Sequence, residues 1–284
     1  MIDQASGLRQ LMKAPVASGC RVIVVCSGKG GVGKTTVTAN LALTLQARGK
    51  RVLLVDADLG LANIDVLLGV VPPYHLGHVR RGDMGMRDII FAHSSGVGLV
   101  AGASGLFDLL DLDRLELEHL VQDLVAIESE YDIVLIDTGA GVGQAVLTFL
   151  EGADHVIVVT TPEPTALTDA YALMKLSVHQ NVRNRFEVVI NRCRDDAEGV
   201  AIADRLIRLA ERFLHAPLTY LGAIPDDAAV GRSVRSQVPL VLGMPQSAAA
   251  RAIGRLGNHF VVAPRTPTKG LAGLLLRLKG AYDG

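Results

Sequence analysis

Residues 28–35 read Gly-Lys-Gly-Gly-Val-Gly-Lys-Thr, and Gly28, Gly33, Lys34 and Thr35 satisfy the spacing G-x-x-x-x-G-K-[ST]. This spacing suits a polyphosphate. Gly28, Gly30, Gly31 and Gly33 permit positive φ and close backbone approach. Loop amides, including those of Val32, Thr35 and Thr36, would face phosphate oxygens together with the dipole of a following helix. Lys34 would contact the β- and γ-phosphates, and Thr35 would hold Mg²⁺. A second lysine, Lys29, stands beside the first glycine, too far from the helix for the usual lysine role.

Three aspartates are candidates for hydrolysis chemistry, Asp56 and Asp58 being otherwise plain loop acids. Asp137 follows Asp-Ile-Val-Leu-Ile, where a carboxylate can ligate the metal or accept a bond from metal-bound water. The alternative is an aspartate that merely caps a turn. Thr138 to Gly141 (Thr-Gly-Ala-Gly) is flexible enough to sense a γ-phosphate. Asp56 and Asp58 lie in Val-Asp-Ala-Asp-Leu-Gly-Leu-Ala-Asn. The reaction needs an in-line water and charge neutralisation more than covalent chemistry. Asn191, at the end of another apolar run, offers a donor and an acceptor to a base, or else makes a turn.

These residues need elements that gather strand ends. Arg21–Ser27 reads as a buried parallel strand, and Thr36–Gly49 as the helix after the loop. Further strands are expected at Arg51–Val55, Val97–Ala101, Asp132–Ile136, His155–Thr160, Phe186–Ile190 and Thr219–Ala223. Helices are expected at Leu112–Ser129, Ala166–Gln180, Gly199–Leu214 and Gln246–Val261. The alternation predicts an α/β fold: one P-loop domain with a mostly parallel sheet covered by helices on both faces. Ligands then bind at the carboxyl ends of the strands, where Asp56, Asp137 and Asn191 fall.

The expected division is 1–19 as an N-terminal element and leader, 20–263 as the P-loop domain and 264–284 as a tether and C-terminal amphipathic helix. Net charge is -1 over 284 residues, so no overall basic footprint predicts direct nucleic-acid binding. Cys20, Cys26 and Cys193 form no C-x-x-C, which argues against a disulfide framework or a zinc site. No apolar run reaches membrane-spanning length, and no signal peptide is evident. The chain reads as cytoplasmic.

The loop with Lys29 resembles the deviant Walker A loop of the MinD/ParA superfamily of dimerising ATPases. The resemblance implies ATP as the nucleotide, with Lys29 reaching the partner subunit's nucleotide in a homodimer that forms in the ATP state. Spacing alone leaves Lys29 as a solvated loop lysine. The segment Asp56 to Asn63 resembles the family's D-x-D-x-G-x-x-N switch. By that likeness Asp58 orients the attacking water and Asp56 supports the metal shell. Asn191, with Gly222-Ala223-Ile224-Pro225-Asp226, matches the family's base pocket, which implicates Pro225 and Asp226.

The two ends narrow the reading. Lys269 to Tyr282, as a helix, puts Leu271, Leu274, Leu275 and Leu278 on one stripe flanked by Arg277 and Lys279. Those cations would snorkel toward anionic headgroups. The tail resembles the membrane-targeting helix of MinD-like ATPases, implying reversible peripheral attachment at the inner face of the cell membrane. The alternative is a helix packed on its own domain or in a dimer groove. Asp3, Gln4, Ala5, Leu8 and Arg9 resemble the D-Q-A-x-x-L-R element of FlhG (also called FleN) proteins. Thr161-Pro162-Glu163-Pro164-Thr165, with Thr168-Asp169-Ala170-Tyr171, resembles that branch too.

That branch regulates flagellar number. Its N-terminal element stimulates the FlhF-type signal-recognition GTPase, with the glutamine, here Gln4, as the active contributor. Other partners in the family are a FleQ-type transcription activator and flagellar switch or C-ring proteins. The rival readings are a MinD-type division-site regulator, a ParA-type DNA segregation ATPase and an iron-sulfur carrier of the nitrogenase-reductase type. The cysteines argue against the last, because none forms a paired ligand set after the loop.

Overall fold

Runs of valine, isoleucine and leucine become strands whose alternate side chains enter two separate apolar layers. In Arg21–Ser27 (β1), Val22, Val24 and Cys26 join one layer, while Ile23 and Val25 join the other. This double burial is why such strands read as near-continuous apolar runs. The computed structural model describes residues 19–58, 63–102, 114–180, 186–262, 270–271 and 273–275. The N-terminal Asp3, Gln4, Ala5, Leu8 and Arg9, the start of the expected Leu112 helix, and Arg277, Leu278 and Lys279 lie outside the described residues.

The remaining strands are Val52–Ala57 (β2), Phe91–Ala92 (β3), Gly98–Val100 (β4), Ile133–Ala140 (β5), His155–Thr160 (β6), Phe186–Cys193 (β7) and Leu218–Pro225 (β8). They form an eight-stranded sheet in the order β3-β4-β2-β5-β1-β6-β7-β8. All described pairings are parallel except β3 with β4. The expected α/β fold is therefore observed, with β3 as an unanticipated two-residue antiparallel edge.

Helices cover both faces. Lys34–Gln46 (α1) is buried nearly all round and shares its layer with Ala248–Val262. The opposite layer is covered by Arg114–Glu128 (α4), Gln144–Gly152 (α5), Pro164–His179 (α6) and Asp196–Phe213 (α7). Short helices at Ile64–Leu68 (α2) and Leu76–Arg80 (α3) precede them in the chain. Ala228–Ser236 (α8), Leu240–Gly243 (α9) and Ala248–Val262 (α10) complete the set. The short α2, α3 and α9 lack the length for a readable helical period. Because β1, β2, β5, β6 and β7 run parallel, their carboxyl ends meet at one edge, and the glycine loop leaves β1 there.

Candidate functional site

The loop is fixed by close approaches that only glycine permits. Gly33 stands at the N-cap of α1 with φ 90, in the left-handed region that favours glycine. A Cβ on Gly28 would lie 2.2 Å from the backbone carbonyl of Asp169, so the loop rests directly on α6. The buried Asn191, near the end of β7, donates from Nδ2 to the Val32 carbonyl at 2.8 Å. The loop is thus held from α6 on one side and β7 on the other.

Behind the loop lies a buried charge pair. Lys34 Nζ is 3.0 Å from Asp137 Oδ1, with side-chain exposures of 6% and 1%. Thr38 Oγ1 donates to the same oxygen at 2.8 Å. Lys34 Nζ also reaches the Thr35 hydroxyl at 3.5 Å. Burial pushes the Asp137 carboxyl up from its ordinary pKa, opposed by the Lys34 charge and by the hydroxyls of Thr35 and Thr38. Asp137 Oδ2 is buried without a hydrogen-bond partner among the described residues. A hard divalent cation takes oxygen ligands, and this free oxygen beside the Thr35 hydroxyl fits Mg²⁺.

Asp56, the penultimate residue of β2, pairs with Asp137 in register. Its two oxygens are already engaged with backbone. Oδ1 accepts from Asp58 N at 3.1 Å, and Oδ2 from Asn63 N at 3.1 Å and Ile64 N at 3.3 Å. Asp56 therefore ties together both ends of the segment that the sequence presents as a switch. Burial pushes its carboxyl up to about 6, with the Asp137 charge adding to the rise and the backbone bonds opposing it. Asp58 is half-buried, and its Oδ1 lies 3.6 Å from where a Cβ on Gly139 would stand. The two acid-bearing segments meet there.

Lys29 points away from this centre. Its Nζ lies 3.0 Å from Glu163 Oε2 and donates to Thr165 Oγ1 at 2.9 Å. The pair is accessible, at 38% and 61% side-chain exposure. These partners are missed by sequence reasoning, although the Thr161–Thr165 run is singled out there by resemblance.

Beyond Asn191, Arg192 adopts φ 58. It is one of the residues lining a polar cleft of about 500 Å³, with Thr161, Glu163, Cys193, Arg194 and Asp226 among the others. Asp226 N donates to Cys193 O at 2.7 Å, which brings the Pro225-Asp226 turn against the end of β7. Asp226 is exposed and Pro225 half-buried.

The described part of the tail packs on its own chain. Leu271, Leu274 and Leu275 are buried in the layer that holds Leu53, Val55, Val100 and Ile136. With Leu76, Met86 and Phe149 they enclose an apolar cavity of about 50 Å³. A Cβ on Gly152 would stand 2.0 Å from Leu274 Cδ1, so the end of α5 is shaped for this contact. Leu271, Leu274 and Leu275 thus face the domain. No helix among the described residues is long and apolar enough to cross a membrane.

Residues 23–240 match the CobQ/CobB/MinD/ParA nucleotide binding domain. The antiactivator FleN of Pseudomonas aeruginosa is 41% identical over 232 residues, covering 82% of this chain and 83% of FleN. The flagellum site-determining protein YlxH of Helicobacter pylori is 34% identical, with 98% of each chain covered. Among solved structures, the cell division ATPase MinD of Pyrococcus furiosus aligns with a TM-score of 0.65 at 31% identity, covering 85% of this chain and 98% of that one. MinD of Pyrococcus horikoshii, solved with Mg-ADP, aligns with a TM-score of 0.67 at 30% identity, covering 85% and 96%. With its glycine loop, buried Lys34–Asp137 pair and sheet order, the chain belongs to the MinD/ParA nucleotide-binding family, in the branch of the FleN and FlhG flagellar-number regulators.

Proposed function

We propose that this MinD/ParA ATPase is a regulatory switch for flagellar number or placement, on at the membrane as an ATP dimer and reset by slow hydrolysis. The observation that carries it is the nucleotide site with a second, displaceable lysine, in a chain 41% identical to an antiactivator of that branch. Stimulation of an FlhF-type GTPase through Asp3, Gln4, Ala5, Leu8 and Arg9 belongs to this reading. So do restraint of a FleQ-type activator and contact with flagellar switch proteins.

For hydrolysis, the amides from Gly28 to Thr36 bind the phosphates, and Lys34 turns from Asp137 toward the β- and γ-phosphates. Thr35 and Asp137 would hold Mg²⁺, with Asp56 supporting the metal shell; when bound, the ion neutralises charge on the phosphate oxygens. Asp58 orients the attacking water, a task of positioning more than of covalent chemistry. Asn191, Pro225 and Asp226 receive the base. Lys29 leaves Glu163 and Thr165 for the phosphates of a second subunit, which couples ATP to dimerisation.

Membrane attachment requires the tail to leave its groove, since the buried Leu271, Leu274 and Leu275 cannot reach lipid where they stand. Two such helices on a dimer bind with avidity where one is marginal. Deletion of the gene, followed by counting flagella and noting their position, tests the function. Altered number or placement is expected. Normal flagella on filamentous or minicelling cells would replace it with the division-site reading, which the MinD-like structures favour.

A further inference from the structure

We infer that the outer face of α7, toward its carboxyl end, is a second lipid contact that meets an anionic bilayer once the tail is inserted. The inference rests on reading the chain as recruited to a membrane in its ATP state.

The inner face of α7 is ordinary core, with Ile202, Ala203, Leu206 and Ala210 buried. The outer face is not uniformly polar. Phe213 is 58% exposed and Leu209, one turn before it, 43%. Residues three and four apart are neighbours on a helix. By that rule Arg205 and Arg212 border Leu209, and Arg208 borders both of those arginines. Asp204 and Glu211 fall beyond Arg208, on the side away from Phe213. The face thus grades from apolar through cationic to acidic. The Arg212 guanidinium carbon lies 5.1 Å from the centroid of the Phe213 ring. Among the described residues, the ion pairs of this helix are at its amino end, Arg194 with Asp195 and Arg255 with Asp196. The three arginines are left facing solvent.

Position selects a bilayer as the occupant. Phe186 N donates to Pro217 O at 3.3 Å, so the turn after Phe213 sits at the amino-terminal edge of the sheet. Leu274 of the tail rests on Gly152, and two residues later Asp154 accepts from Val22 N at that same edge. Leu206, Ala210 and Leu214 share the apolar layer of Leu271, Leu274 and Leu275. The tail and the Phe213 end of α7 therefore lie on one face and at one edge, opposite the glycine loop. A tail inserted in lipid brings that edge to the bilayer. Leu209 and Phe213 then reach the acyl boundary, while the arginines stay at the level of the headgroups. An acidic protein surface would match the arginines but gives no reason for the edge shared with the tail.

The chain has no tryptophan, so Phe213→Trp introduces a sole fluorescent reporter. The full-length variant, with a non-hydrolysable ATP analogue, is mixed with vesicles of phosphatidylglycerol and phosphatidylethanolamine and pelleted in parallel. Pelleted protein is expected to show blue-shifted emission that dibrominated acyl chains quench, with neither effect from the analogue alone. Arg208→Gln combined with Arg212→Gln is expected to weaken binding to these vesicles by about tenfold and to leave binding to phosphatidylcholine vesicles unchanged. The substituted positions are exposed, and ATP affinity equal to wild type verifies the fold. Protein that pellets with unshifted, unquenched emission would overturn the lipid contact while leaving the tail reading intact; a face that serves an acidic protein gives this result. Wild-type affinity of the arginine variant for the anionic vesicles would overturn the headgroup assignment. A wild-type chain that stays in the supernatant with the analogue would remove the membrane reading itself, and this inference with it.

Discussion

The ammonium of Lys29 and the carboxylate of Glu163 face each other at 3.0 Å within one chain, with the Thr165 hydroxyl completing the contact. The lysine that would cross to a partner is thus held in cis by groups at the N-terminal end of α6, its N-cap Glu163 and Thr165. Both side chains are substantially exposed, so the pair contributes no more than about 1 kcal/mol. Such a contact holds a flexible side chain and yields readily to a triphosphate. Glu163→Gln is expected to leave the melting temperature almost unchanged. It should lower the concentration for ATP-dependent self-association by up to about fivefold. Sedimentation with a non-hydrolysable ATP analogue measures this; association no tighter than wild type would show that Glu163 does not compete with the dimer.

Lys34 has the opposite character. Removing it strands a buried carboxylate at Asp137. Lys34→Met should cost about 3–5 kcal/mol in urea unfolding of the nucleotide-free protein. Adding Asp137→Asn should restore most of that stability without restoring hydrolysis. If the double variant is no more stable than the single, the loss lies in packing and not in the stranded charge.

Asp58 is half-buried at the meeting of the two acid-bearing segments. Asp58→Ala should bind ATP with near wild-type affinity and lose hydrolysis by at least a hundredfold, a size typical of a lost water-orienting group. Nucleotide binding by fluorescence and phosphate release read the two effects separately. Wild-type phosphate release would remove Asp58 from the mechanism.

Asp56 makes stability depend on pH in an unusual direction. Its folded pKa, about 6, lies above the ordinary value of 3.8. The folded state therefore holds this proton more tightly than the unfolded state. The associated stability is fully present below the unfolded pKa and is lost as pH rises through 6. Between pH 7.5 and pH 5 the wild type should gain about 1.4 kcal/mol from this group, a gain absent from Asp56→Asn. The difference between the two urea curves isolates it from other carboxyls. Parallel pH dependences would contradict the assignment.

Gly152 controls the groove for the tail. Gly152→Val would drive a methyl into Leu274 and weaken docking. The variant should sediment with anionic liposomes even in ADP, where the wild type stays in the supernatant. If it remains soluble with ADP as the wild type does, docking is not what withholds the tail.

Much of this was legible before the fold. β1 and β6 run between the residues that their apolar runs announce, and the loop, Asp56, Asp137 and Asn191 meet at one edge as the alternating pattern requires. What stayed hidden depends on contacts remote in sequence. Lys29 is 134 residues from Glu163, and Val32 is 159 from Asn191. No local period encodes such pairings. Asp56 is instructive in another way. Its position near a strand end was readable, but its acceptance of bonds from Asn63 and Ile64, seven and eight residues on, follows no local period.

Leu271, Leu274 and Leu275 belong to the same apolar layer as the central strands. A side chain cannot occupy two apolar phases at once. Any excursion of these residues into a bilayer therefore subtracts from the interior of the ATPase itself, and the cavity they help enclose becomes an open trench. The membrane-bound form would then be the more loosely packed one. Substitutions at these three positions are constrained twice, by the shape of a groove and by solubility in lipid. A change that suits one phase is free only if the other accepts it.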